Sequence, residues 1–170
     1  MSTVGERKLV TFLRKLQNGD LDGNPLSYLQ KIYADQPRQE LNSTGNFPRL
    51  QVKELGGTAI TSGIGATDRI YEVLIQCIVY VDINTPFAEA SVSDFWSEGR
   101  NMSPEEACGA IAYHVSKELM ENKATLHSDN SHTFILKGNA SYNNMGIDNT
   151  YFENLNVYKG GITFTFILRD

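Results

Sequence analysis

The stretch ATDRIYEVLIQCIVYVDINTP, residues 66–86, holds the longest apolar run in the chain. From Tyr71 to Ile83 every odd position is apolar: Tyr71, Val73, Ile75, Cys77, Val79, Val81 and Ile83. The even positions read Glu72, Leu74, Gln76, Ile78, Tyr80 and Asp82. A period of two belongs to a β-strand, so the sequence predicts one fully buried face and one half-polar face. A membrane helix needs about 20 apolar residues, and Glu72, Gln76 and Asp82 interrupt any such span here. The odd face requires a covering helix. The even face is too polar for a second full core and too apolar for open water, so the expected cover is a neighbouring subunit or a second helix.

A strand this long needs partners, and the flanking segments supply them. In residues 6–17, Leu9, Phe12, Leu13 and Leu16 recur at helical spacing, and Asn18-Gly19 follows as a stop signal. Residues 25–34 are read as a short helix, with Asn24 as N-cap and Pro25 in the first position, the alternative being an extended core over Tyr28–Tyr33. NFPRLQVKEL predicts a strand beginning at or after Pro48, with Arg49, Gln51 and Lys53 on its wet face. GGTAITSGIGAT, residues 56–67, reads as a flexible Gly/Ser/Thr-rich loop, and residues 84–102, containing Trp96, and 138–154 as polar connections.

A second helix starts at Ser103, the N-cap, with Pro104 next and Glu106 placed to bond back to the cap. Its apolar stripe is Ala107, Cys108, Ile111, Ala112, Val115 and Leu119. HTFILKG, LNVYKGG and ITFTFILRD are β-rich, with Lys159-Gly160-Gly161 as a tight turn joining the last two. This order predicts an α+β fold: a single domain over residues 1–170, with a mostly antiparallel sheet packed against two or three helices.

The 170 residues are 41% hydrophobic, enough for one core without disulfides or metal. A net charge of −5 argues against a nucleic-acid-binding surface. The opening MSTVGERKLV has no apolar signal core, which predicts a cytoplasmic protein with Cys77 and Cys108 as buried thiols. Without a secretory route, the sequons at Asn42 and Asn139 carry no weight.

Motifs for chemistry are incomplete. In NGDLDGNPLSYL, Asn18, Asp20, Asp22 and Gly23 match a calcium loop, but the twelfth position is Leu29 instead of the bidentate Glu that calcium needs. HSDNSH gathers His127, Asp129 and His132 without a fourth ligand, and reads as a polar loop before a strand. His114 and Glu118, one helical turn apart, could form a general-base pair, at a spacing ordinary for helix surfaces. SGIGAT lacks the Lys-Ser/Thr of a phosphate loop and precedes a strand. The expectation is no cofactor, no metal and no catalysis. Tyr80, Phe95, Trp96, Tyr142, Tyr151 and Phe152 are of the type that anchors protein interfaces.

The order of an opening helix, the FPRLQV strand, a loop, DRIYEVLIQCIVYVDI, the helix SPEEACGAIAYHVSKELM and a closing hairpin ending in ITFTFILRD resembles the tail terminator proteins of long-tailed phages and archaeal tailed viruses. The resemblance implies a homohexameric ring that caps the tail tube, ends its polymerisation and joins the tail to the head-completion ring. Its partners would be itself, the tail tube protein and a head-completion protein, in a virion assembled in the host cytoplasm. DNA would pass the lumen without tight binding, which an acidic chain suits. Candidate subunit or partner contacts are Arg49, Lys53, Asp68, Arg69, Leu74, Ile78, Tyr80 and Trp96. The alternatives are another neck component, or a small α+β enzyme or ligand-binding domain using residues 127–154.

Overall fold

The computed structural model describes residues 2–21, 23–34, 47–60, 69–84, 87–88, 101–148 and 157–169. The elements run α1 (Val4–Asn18), β1 (Lys31–Tyr33), β2 (Arg49–Ile60), β3 (Ile70–Asp82), β4 (Phe87–Ala88), β5 (Asn101–Met102), α2 (Pro104–Glu121), α3 (Lys123–Asp129), β6 (Phe134–Asp148) and β7 (Val157–Arg169). The fold is α+β. Five strands form one sheet in the order β1-β2-β3-β7-β6, antiparallel except for the β1–β2 pair, and β4 pairs with β5 separately.

The odd side chains of β3 settle the layer arrangement. Val73, Ile75, Cys77, Val79 and Val81 are buried in one cluster with Leu9, Phe12, Leu13 and Leu16 of α1 and the predicted stripe of α2. Both long helices therefore lie on the same side of the sheet, as helix stripes with one apolar face require. Both starts are capped. Thr3 Oγ1 accepts from Glu6 N in a reciprocal capping box, and Ser103 Oγ accepts from Glu106 N at 3.3 Å. Glu6 does more than cap. Its Oε1 accepts from the backbone amide of Glu54 at 2.8 Å, where a bulge at Glu54/Gly56 breaks the β2–β3 register.

Five expectations are corrected. Residues 25–34 do not form a helix: short turns close from Asn24 to Ser27 and from Leu26 to Leu29, and Lys31–Tyr33 then adds to β2 as a parallel strand. Leu26 and Leu29 go into the core, and Arg14 of α1 holds the Ile32 carbonyl at 2.7 Å, so long-range contacts outweigh local helix signals. The segment from Gly56 to Ile60 is not loop but the end of β2, paired with Ile70–Leu74 of β3.

The Gly160-Gly161 pair makes no turn. β7 runs straight through it, because Tyr142 lies across Gly160: a Cβ there would sit 2.5 Å from the tyrosine oxygen. The closing hairpin is instead β6 with β7. The polar segment from residue 138 belongs largely to β6, which reaches Asp148, and His127 and Asp129 sit on α3 instead of in a loop.

Candidate functional site

The even face of β3 divides into two halves. Toward Asp82, Ile78 and Tyr80 are 7% and 5% exposed and cluster with Phe47 and Val157. Arg49, opposite Tyr80 in the register, is fully buried with its guanidinium 4.1 Å over the Phe47 ring. Tyr80 donates to Gln51 Oε1 at 2.8 Å. Burial raises the pKa of the neighbouring Tyr33 phenol, against the lowering effect of Arg49.

Toward Ile70 the same face is open. Leu74 is 43% and Ile60 40% exposed. In register beside them lie Thr165 and Ile167 of β7 and Ile135 of β6, all half-buried. Lys137 reaches across β7 to Glu72 at 2.8 Å, and exposed Lys53, Arg69 and Arg169 stand around the patch. The result is an apolar patch with a basic margin on a chain of net charge −5.

The eight candidate contacts thus separate. Lys53, Arg69 and Leu74 are exposed at the open half. Arg49, Ile78 and Tyr80 are covered by the chain itself; Arg49 in particular is not on a wet face, because Phe47 folds over it. Asp68 and Trp96 lie outside the described residues, as do Phe95, Tyr151 and Phe152.

The general-base candidate is a buried chain of polar groups. His114 and Glu118 are 3% and 7% exposed, with Nε2 and Oε1 3.4 Å apart. Tyr28, which sequence spacing had no means of pairing with them, stacks on the imidazole and places its hydroxyl 2.8 Å from Nδ1. Burial and then the Glu118 carboxylate raise the phenol pKa, so it keeps its proton. Asn122 Nδ2 closes the chain on the Glu118 carboxylate at 3.4 Å. These groups link the 24–30 turn to α2.

Two surface depressions lie among the described residues. One of about 210 Å³ is lined by Arg7, Lys8, Thr11, Phe12, Lys15, Asp129 and Asn130; its lysines are already bonded, Lys15 to Asp129 and Lys8 to Thr133. The other, about 430 Å³, lies on the outer face of α2 at Tyr113, Ser116, Lys117 and Met120. Among the described residues no three His, Cys, Asp or Glu side chains come together as a metal site. No helix of the described residues is long and apolar enough to cross a membrane. No protein-family model matches the chain, and no curated protein matches it.

Proposed function

We propose that this chain is a structural assembly protein without catalytic activity, closing with copies of itself into a ring of the tail terminator type that caps a tail tube and joins it to a head-completion ring. One observation carries the reading: Leu74 stands 43% exposed in the centre of a sheet whose opposite face is fully packed. A two-layer sheet with an open apolar half calls for a neighbour to cover it. A ring interface is heterologous, so the surface that meets this patch is a different part of the next copy. The element order that resembles terminators adds support, and the acidic chain suits a lumen that lets DNA slide.

Native mass spectrometry over micromolar concentrations, with and without purified tail tubes, tests the proposal. A ring, free or formed on the tube, is expected. A chain that stays monomeric and leaves tube growth uncapped would overturn it.

A further inference from the structure

Among the described residues β6 is the last strand of the sheet, so its outward amides are open to pairing, an arrangement proteins usually blunt. Register shifts at Lys137/Ser141 and Asn144/Gly146 interrupt the ladder along its later part. The regular part before them is guarded by a side chain: the backbone N–H of Leu136 donates to Nε2 of His127 at 2.9 Å. His127 is held in place for this. Neighbouring Leu126 is fully buried, and the chain turns back so that His132 N donates to the His127 carbonyl at 2.7 Å, with Ser131 and His132 at φ 53° and 57°.

We propose that His127 is a proton-operated cap on the open edge of β6: neutral imidazole accepts the Leu136 amide, and protonation of Nε2 removes the acceptor and uncaps the edge. An imidazolium has two N–H donors and no lone pair, so it cannot hold a donor amide. The chain itself supplies the bias. Partial burial, then His132 on the following turn, then Lys123 one turn earlier on α3, lower the His127 pKa from its ordinary value. The remaining charges nearby are engaged elsewhere: Asp129 pairs with Lys15 of α1 at 2.8 Å, and Lys8 of α1 bonds Thr133. A lowered histidine pKa means that the cap's contribution is complete above about pH 6.5 and is lost as pH falls through the folded value. The device is independent of the ring reading.

Amide hydrogen exchange at Leu136, expressed as protection over intrinsic exchange and followed by NMR from pH 8 to 5, tests it in the unmodified chain. Protection is expected to fall about five- to tenfold, the loss of one ordinary hydrogen bond, with a midpoint equal to that of the His127 ring signals. His127→Gln keeps an acceptor near the Nε2 position that does not titrate, and should abolish the pH dependence. A flat profile in the unmodified chain, a midpoint that follows His114 or His132 instead, or an unchanged break in His127→Gln would each overturn the proposal.

Discussion

The hydroxyl of Tyr28 lies 2.8 Å from Nδ1 of His114, a contact between residues 86 apart in the chain. It fastens the irregular 24–30 turn to the middle of α2, and Glu118 and Asn122 continue the chain of polar contacts along the helix. Buried polar groups that satisfy one another in this way act as a unit. Tyr28→Phe removes one hydroxyl and is expected to cost about 1–2 kcal/mol. Urea denaturation of Tyr28→Phe, Glu118→Gln and the double variant should give a coupling energy of about 0.5 kcal/mol or more. Strict additivity would mean that Tyr28 and Glu118 do not act through the imidazole.

The two halves of the even face of β3 predict opposite outcomes for one kind of substitution. Leu74→Glu places a charge on an exposed position and should change monomer stability by no more than about 0.5 kcal/mol, while weakening ring formation. Ile78→Glu buries a charge among Phe47, Tyr80 and Val157 and should cost about 3 kcal/mol or more. Thermal melts beside native mass spectra distinguish them. Equal destabilisation by both would show that Leu74 is covered within one chain.

Gly160 is required by its neighbour. A Cβ at this position would meet the Tyr142 hydroxyl at 2.5 Å and its ring at 3.0 Å, so alanine would force the tyrosine out. Burial, with Cys108 next, pushes the Tyr142 phenol up to about 12, so it enters this contact protonated. Gly160→Ala should cost about 1–3 kcal/mol, the usual range for overpacking. Adding Tyr142→Ala should recover part of that loss in chemical denaturation. No recovery would place the strain elsewhere.

Burial pushes the thiols of both Cys77 and Cys108 up to about 12. At pH 8 the thiolate fraction is then on the order of 10⁻⁴, and neither sulfur is accessible. An aromatic disulfide reagent at pH 8 should modify the two thiols only at the rate of unfolding, and at once in denaturant. Fast labelling of either one in the native protein would contradict the packing of α2 on β3.

The local alphabet of the chain was sufficient for α1, α2 and the core of β3. Parity alone placed the odd residues of β3 in the core, and caps with three- and four-residue spacing located α1 and α2, because these signals arise from backbone geometry and a single buried face. Tertiary structure decided the rest. The 25–34 segment became turn and strand because β2 offered a parallel edge and the core took Leu26 and Leu29. Gly160-Gly161 became straight strand because an aromatic ring from β6 needed the space. The division of one β3 face into a covered half and an open half, the joining of Tyr28 to His114 and the meeting of His127 with Leu136 are contacts between segments distant in sequence. No periodicity encodes such contacts, since they exist only once the chain has closed on itself.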